Sequence, residues 1–96
     1  MDKYYKTFKD LRFKPQSFLK GVQAILFFPN GYGISVVRNA CSLTTANTWE
    51  IAILKGTESY YDLCYDTPIT NDVIGYCSEE EVSNIMKQIQ DLSLYP

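Results

Sequence analysis

The chain has 96 residues, of which 46% are hydrophobic and 15% aromatic, and its formal net charge at pH 7 is −2. This length allows one domain with a single hydrophobic core. The aromatic content and the small net charge exclude an intrinsically disordered chain, because disorder requires few aromatic residues and a large net charge.

Residue types that most enzymes use are scarce in this sequence. It contains no histidine, which is the commonest general base and metal ligand. Cys41, Cys64 and Cys77 lie far apart and form no C-x-x-C motif, so their spacing matches no ordinary zinc site. We therefore expect a protein that is not an enzyme and that binds no metal and no cofactor.

The cysteines and the apolar runs also indicate where the protein acts. An odd number of cysteines without a secretory signal is typical of free thiols in a reducing cytoplasm. We expect Cys64 and Cys77, which fall within predicted strands, to be buried thiols. The longest apolar run, residues 24–29, is too short to cross a bilayer, so no membrane partner is expected.

The charges divide unevenly along the chain. Residues 1–20 contain six basic and two acidic residues, whereas residues 21–96 contain three basic and nine acidic residues. We therefore distinguish a basic aromatic N-terminal segment, residues 1–20, from a single α+β domain, residues 21–96. Such asymmetry is typical of a segment that binds nucleic acid or a membrane surface, and equally of a basic arm that folds back on an acidic body.

Apolar residues in the N-terminal segment recur at near-helical spacing among basic ones, which predicts a short basic amphipathic helix over residues 2–12. Pro15 would end this helix by about residue 14. Three roles fit the pattern: contact with nucleic-acid phosphates, contact with an anionic membrane, or cover for one face of the sheet. The nucleic-acid role would use Lys3, Lys6, Lys9, Arg12 and Lys14.

Of these three roles we favour cover for the sheet. Six cations are few for tight nucleic-acid binding when an acidic body lies behind them. The cover would be provided by Phe8, Leu11, Phe13 and Phe18.

The strongest local signal is a β-hairpin over residues 23–38. Two apolar runs flank Pro29-Asn30-Gly31, which suits a type I turn followed by a left-handed residue. In this register the pairs that share one face are Phe28–Tyr32, Leu26–Ile34 and Ala24–Val36. Ile25, Phe27 and Val37 lie on the other face, so both faces are largely apolar. We expect the N-terminal segment or a second copy of the chain to cover that second face.

The remaining elements follow a small, polar loop over residues 39–48. Strand patterns occupy residues 49–54, 60–65 and 73–77. Ser78 and Glu81 then form a capping box at the start of a helix over residues 79–92. Together these elements predict an α+β fold: a four- to five-stranded, mainly antiparallel sheet with the C-terminal helix packed on one face.

Carboxylates cluster at one end of the predicted sheet. The cluster comprises Asp66, Asp72, Glu79, Glu80 and Glu81. Helix capping and turn formation account for these residues, and their spacing matches no EF-hand loop. A metal-dependent hydrolase at Asp66, Asp72 and Glu79 is therefore the third-ranked hypothesis.

The same region favours a docking role. Carboxylates interspersed with tyrosines present a surface that could dock on the basic nucleic-acid channel of another protein, because complementary potentials direct such encounters. The predicted partner-binding residues are Tyr60, Tyr61, Asp62, Tyr65, Asp66, Asp72, Tyr76, Glu79 and Glu80.

Five sequence stretches resemble a set of small proteins encoded by tailed bacteriophages and prophages. The most specific are FFPNGYGISVVR at residues 27–38 and YDTPITNDVIGY at residues 65–76, and the others span residues 10–15, 50–56 and 79–82. The resemblance implies a phage setting and the host cytoplasm, and it supplies no catalytic residues.

Small accessory phage proteins often antagonise host defences as anti-CRISPR or anti-restriction inhibitors. With the lack of catalytic residue types, the resemblance leads to the expectation of a non-enzymatic phage accessory protein that binds and inhibits a host protein that handles nucleic acid. A homodimer is compatible with this reading. The alternative is a phage protein that binds nucleic acid directly through the basic N-terminal segment.

Overall fold

A computed structural model describes residues 4–16, 20–40, 42 and 44–93. It contains an antiparallel sheet with one α-helix on one of its faces, which confirms the predicted α+β fold. In chain order the elements are a 3-10 turn Phe8–Asp10 and then β1 Lys14–Pro15, β2 Gly21–Phe27, β3 Tyr32–Asn39, β4 Trp49–Thr57, β5 Tyr60–Leu63, β6 Ile74–Cys77 and α1 Glu79–Gln90.

The sheet is a simple meander with an interrupted edge. The strand order is β1-β2-β3-β4-β5, and every pair is antiparallel. β6 pairs with the beginning of β4, opposite β3 and on the same side as β5. β5 and β6 therefore act as one edge strand along β4, from which residues 64–73 make an excursion.

The hairpin register predicted from the sequence is confirmed. Ala24 pairs with Val36, and Leu26 pairs with Ile34. Gly31 has a φ of +86°, the left-handed conformation that the turn requires, and its N–H donates to the carbonyl of Phe28 at 3.2 Å.

The same turn also caps the end of α1. Asn30 Nδ2 donates to the carbonyl oxygens of Ile89 at 2.9 Å and of Leu92 at 3.1 Å. Its Oδ1 accepts from the N–H of Tyr32 at 3.1 Å. Since the last carbonyls of a helix lack partners within the helix, this one side chain ties the hairpin to the helix C-terminus.

The predicted capping box at the helix N-terminus is present. The N–H of Glu81 donates to Ser78 Oγ, and the N–H of Ser78 donates to Glu81 Oε1, both at 3.1 Å. The helix then buries one stripe against the sheet, formed by Val82, Ile85, Met86 and Ile89. The i, i+3, i+4, i+7 spacing of this stripe is what the sequence shows.

The hydrophobic core lies between this helix and one face of the sheet. Its strand residues include Ile34, Val36, Ile51 and Ile53, each at most 1% exposed. Full burial of an aliphatic side chain of this size stabilises the fold by about 1.5–3 kcal/mol. Cys64 and Cys77 belong to the same cluster, and the expectation that both thiols are buried is confirmed.

The described part of the N-terminal segment packs on the helix face of the sheet, so the expectation that it covers the second face is wrong. Leu11 is 6% exposed within the core cluster, and Phe8 and Phe13 pack around Trp49 with ring centroids 5.6 Å and 4.5 Å away. Phe18 lies outside the described residues. The physical reason is that Trp49 and the core beside α1 provide aromatic and apolar contacts for these rings.

The predicted helix over residues 2–12 is replaced by an extended segment with one 3-10 turn, Phe8–Asp10. Side chains of α1 satisfy the backbone of the extended part. Gln90 Oε1 accepts from the N–H of Lys6 at 2.9 Å, Gln90 Nε2 donates to the Lys6 carbonyl at 2.8 Å, and Ser83 Oγ accepts from the N–H of Phe8 at 3.0 Å. These bonds replace those of an isolated short helix, which is marginal in water. We call residues 4–13 the strap.

The remaining strands differ from the prediction mainly in their ends. β1 was not predicted, and it forms because the chain around residues 14–15 folds back on β2. β4 continues through Gly56, whose φ is +121° and where a side chain would collide with the carbonyl of Tyr60. The position therefore requires glycine because the β4–β5 hairpin closes immediately beyond it.

Within the described ranges, α1 and the strap leave the second face of the sheet uncovered. The residues that face this side include three rows across the strands, Lys14–Gln23–Val37–Glu50, Ile25–Ser35–Ala52 and Phe27–Gly33–Leu54–Leu63. In these rows only the edge residues Lys14 and Leu63 are exposed, and Gly33, Ser35 and Leu54 are buried. The ring of Phe27 lies over Gly33 and 5.3 Å from the ring of Tyr61. The described helix and strap pack on the opposite side. We call these three rows the open face.

Candidate functional site: an acidic, tyrosine-bearing sheet edge

The predicted partner-binding residues lie on β5, in the excursion 64–73, on β6 and in the first turn of α1. Because β5 and β6 together accompany β4 over its nine residues, this edge is about 27 Å long. All the predicted residues are exposed. We call the set the acidic edge, and it consists of Tyr60, Tyr61, Asp62, Tyr65, Asp66, Asp72, Tyr76, Glu79 and Glu80.

The acidic edge exposes an unusual amount of aromatic surface. Tyr60 is 82% exposed and Tyr76 57%, and Tyr61 and Tyr65 also count among the exposed large side chains. Leu63, between them on β5, is 49% exposed. Tyrosine combines a broad apolar ring with a hydroxyl, and it is enriched where proteins meet.

Tyr76 occupies a backbone conformation that a large side chain seldom adopts. Its φ is +56°, and it is the only non-glycine residue in the described ranges with a positive φ. The neighbouring Gly75, which could adopt this conformation freely, has no positive φ. An L-residue in the left-handed region costs roughly 1–2 kcal/mol, so the fold holds Tyr76 in place against local strain.

A bulge in the pairing of β4 with β6 produces this conformation. Trp49 pairs with Cys77 and Ile51 pairs with Ile74, so two residues of β6 stand opposite Glu50 alone. Such bulges redirect side chains at sheet edges. The bulge keeps Cys77 in the core while the ring of Tyr76 remains in solvent.

The excursion between β5 and β6 is fixed by local hydrogen bonds and one apolar anchor. Thr67 Oγ1 accepts from the N–H of Ile69 at 3.2 Å, and Thr70 Oγ1 accepts from the N–H of Asp72 at 3.2 Å. Asp72 Oδ1 accepts from the N–H of Val73 at 2.7 Å. Since Ile69 packs against the core, the excursion has a defined position beside the strands.

A carboxylate on the acidic edge interacts with a buried thiol. Cys64 Sγ donates to Asp66 Oδ1 at 2.9 Å, and this bond lowers the pKa of Asp66. Burial, and then the same hydrogen bond, raises the pKa of the Cys64 thiol. Burial, and then the charge of Glu81, raises the pKa of Cys77. At neutral pH both thiols are protonated, which is the unreactive form.

The carboxylates of the third-ranked hypothesis, Asp66, Asp72 and Glu79, do not form a metal-binding group. Across the described ranges, no three side chains of the Asp, Glu, Cys and His types are placed to hold a metal ion. Instead, Asp66 and Asp72 hold local structure, and Glu79 lies in the first turn of α1, where a negative charge is favourable.

The predicted nucleic-acid-binding residues are dispersed. Lys6, Lys9, Arg12 and Lys14 are all exposed, and Lys3 lies outside the described residues. Lys6 lies beside α1, where its backbone bonds to Gln90, whereas Lys14 is in the first row of the open face. The structure therefore places Lys6 and Lys14 on different sides of the sheet.

Two features were not foreseen from the sequence. The first is Trp49, whose ring stacks on Phe13 and lies 3.6 Å from the Arg38 guanidinium, measured to the ring centroid. The indole Nε1 of Trp49 is buried and has no hydrogen-bond partner. An open cleft of about 260 Å³ lies where the strap, the β2–β3 turn and α1 meet. Both combine residues from separate segments, which no local pattern reveals. The cleft is lined by Tyr4, Phe28, Pro29, Asn30 and Gln90.

Comparison with protein-family models, curated proteins and solved structures gives no significant match. A proposal of function must therefore depend on the geometry of this chain.

No helix in the described part of the chain has both the length and the apolar character that crossing a bilayer requires.

Proposed function

We propose that this chain is a non-enzymatic phage accessory protein that binds and inhibits a host protein through the acidic edge. The partner is a host protein that handles nucleic acid, such as an effector of a CRISPR or restriction system. The observation that carries the proposal is the exposure of four tyrosines and Leu63 along one edge that also displays five carboxylates.

The charge of the acidic edge defines the chemistry of the partner. Five exposed carboxylates on β5, on residues 64–73 and in the first turn of α1 give this side of the molecule a concentrated negative charge. A groove lined with lysine and arginine, shaped for nucleic acid, is complementary to this surface. Occupation of such a groove would exclude the nucleic acid that it normally holds.

The tyrosines would supply most of the affinity. Rim charges mainly steer and orient an encounter, whereas buried aromatic rings dominate binding free energy at protein interfaces. The strain at Tyr76 supports this assignment, because the fold maintains an unfavourable backbone conformation that leaves its ring in solvent.

Affinity capture from a lysate of the bacterial host tests the proposal. The wild-type chain would be immobilised, the lysate treated with nuclease, and retained proteins identified by mass spectrometry. We expect one host protein with nucleic-acid-binding activity to be retained by the wild type and lost with Tyr65→Ala/Tyr76→Ala. Asn84→Ala, on the exposed side of α1, is the matched control and should retain it.

A purified partner would then be tested for inhibition. Titration of the wild-type chain should displace nucleic acid from the partner, and the tyrosine variant should fail to do so. The proposal is wrong if no protein is retained after nuclease treatment, or if the wild type and the tyrosine variant retain the same protein equally well.

A further inference from the structure

The turn of the β2–β3 hairpin contains a pair of residues with a covalent chemistry of its own. Asn30 directly precedes Gly31, and this is the only Asn-Gly pair in the chain. In such a pair the backbone nitrogen of the glycine can attack the amide carbon of the asparagine, because no side chain on the glycine hinders the approach. The other asparagines are all followed by larger residues. The sequence therefore concentrates this chemistry at one position of the fold.

We propose that Asn30 is a site of spontaneous deamidation, and that the docking of α1 on the hairpin turn holds the reaction back. Gly31 N forms a bond to Asn30 Cγ, the bond from Cγ to Nδ2 breaks, and the proton of Gly31 N leaves with Nδ2 as ammonia. Water then opens the resulting succinimide ring at either of its carbonyls, which leaves aspartate or isoaspartate at position 30. The reaction consumes only water, and the inference is independent of the proposed host partner.

The reacting groups are all engaged in the folded chain. Asn30 Nδ2 donates to the carbonyls of Ile89 at 2.9 Å and of Leu92 at 3.1 Å, and Oδ1 accepts from a backbone N–H within the turn. The N–H of Gly31 donates to the carbonyl of Phe28 at 3.2 Å. Gly31 must lose this bond before its nitrogen attacks, and Nδ2 must lose both of its own as it departs. The reaction should therefore proceed from molecules in which the turn and the end of α1 have separated.

Leu92 determines how often the two parts separate. It follows the last turn of α1, and its half-buried side chain packs against the core. Its carbonyl is one of the two that accept from Asn30. Helix ends open locally at a lower free energy than the strands of a core. Loss of the Leu92 contact should therefore increase the fraction of molecules in which Asn30 is free to react.

The product would not re-form the cap. A carboxylate has no N–H to donate, and it would bring a negative charge to two carbonyl oxygens at the negative end of the helix dipole. Isoaspartate would also lengthen the backbone before Gly31, in a turn that requires Gly31 to keep a φ of +86°. Because ammonia is lost, the reaction is not reversed when the chain closes again. Each event therefore permanently weakens the attachment of α1 to the hairpin.

The first test compares the folded with the unfolded chain. The wild type would be incubated at neutral pH in buffer and in concentrated urea, and then digested with trypsin. Cleavage after Lys20 and Arg38 gives one peptide that contains Asn30. Mass spectrometry after chromatography would quantify its deamidated forms against a sample taken before incubation. We expect the reaction to be at least about tenfold slower in the folded chain, because it requires local opening. Equal rates, or no deamidation in urea, would overturn the proposal.

Leu92→Ala tests the role of the helix end. In buffer, Asn30 of this variant should deamidate at least about threefold faster than in the wild type, because the end of α1 opens more often. In urea the two chains should react at the same rate. Gln88→Ala, exposed on the same helix, is the matched control and should react as the wild type does. Circular dichroism would establish that both variants are folded. An unchanged rate in folded Leu92→Ala would refute the protective role of the docked helix.

Two further measurements identify the route and its consequence. In urea, where the turn is absent, Gly31→Ala should slow the reaction at Asn30 by roughly tenfold, because a methyl group hinders attack by the backbone nitrogen. An unchanged rate there would exclude attack by that nitrogen. Deamidated wild-type chain, separated by ion exchange, should unfold at a lower urea concentration than the unmodified chain. Equal midpoints would contradict the loss of the cap.

Discussion

Single side chains join parts of this fold that are distant in sequence, and Asn30 is the clearest case. Its amide N–H groups bond to two carbonyls at the end of α1, while its carbonyl oxygen bonds within the hairpin turn. Asn30 suits the turn because of its backbone preference, and its side chain also binds the C-terminal end of α1. Sequence reasoning identified the turn, because Pro-Asn-Gly is a local signal, but not the cap, because the helix is about 60 residues further along the chain.

Asn30→Asp is predicted to destabilise the protein by about 1–3 kcal/mol. The substitution keeps the acceptor for Tyr32 but removes both donors and places a negative charge at the helix C-terminus. Urea unfolding would measure the change. Asn47→Asp, in the exposed loop before β4, is the matched control and should change stability by less than about 0.5 kcal/mol. Equal effects at the two positions would contradict the capping role.

Tyr76→Gly is predicted to leave stability unchanged or to raise it by up to about 1 kcal/mol, because glycine adopts a positive φ without strain. Tyr60→Gly provides the contrast. Tyr60 is also exposed but has no positive φ, so glycine there should lower stability by about 0.5–1 kcal/mol. Chemical denaturation of both variants gives the comparison, and a similar loss at both positions would show that Tyr76 is not strained.

The buried thiols predict a loss of stability at alkaline pH. Cys64 and Cys77 have raised pKa values in the folded chain, so the unfolded chain loses its thiol protons first. Their contribution is fully present below the ordinary thiol pKa of about 8.5 and declines as the pH rises above it. Unfolding free energies between about pH 7 and about pH 9.5 would show the decline. The Cys64→Ala/Cys77→Ala variant, though less stable throughout, should show a flatter profile; an unchanged slope would exclude the thiols as its cause.

At the scale of elements, the structure shows which features local patterns determine. The hairpin register and the capping box at Ser78 were predicted correctly, because turn and cap chemistry act within a few residues. The strap was predicted to form a helix and to cover the second face of the sheet. Instead it is extended and packs on the same face as α1. Its conformation depends on Gln90 and Ser83 of α1, which satisfy its backbone, and its position depends on the rings around Trp49.

In the candidate site, too, some features follow from the local sequence and others depend on distant residues. Exposure of the acidic-edge residues followed from their polar character and their place in short strands. The bulge at Tyr76 did not, because the adjacent Gly75 offers a more natural site for a positive φ. Only the long-range pairing of Cys77 with Trp49 forces the extra residue to this position.

The attachment of the strap gives a prediction about an element. Gln90→Ala should release the described N-terminal residues without unfolding the sheet, since Gln90 makes two bonds to the backbone of Lys6. Limited trypsin digestion would then cleave after Lys6 and Lys9 faster than in the wild type. Gln88→Ala, exposed on the same helix, is the matched control. Equal cleavage rates in both variants would show that the aromatic contacts alone hold the strap.

At the scale of the whole molecule, the acidic edge and the open face meet at β5, because Leu63 belongs to the third row of the open face and the ring of Tyr61 lies 5.3 Å from the ring of Phe27. The open face is a broad surface of the sheet, whereas the acidic edge borders β4 on one side.

The position of Trp49 has a practical consequence. It is the only tryptophan in a chain with eight tyrosines, so its fluorescence can be excited selectively. Its ring is stacked on Phe13 of the strap, and its indole N–H is buried without a partner. Emission from such an indole should be blue-shifted, and it should move to longer wavelength when the strap departs and water reaches the ring. The natural chain therefore carries its own optical reporter of whether its first residues are docked.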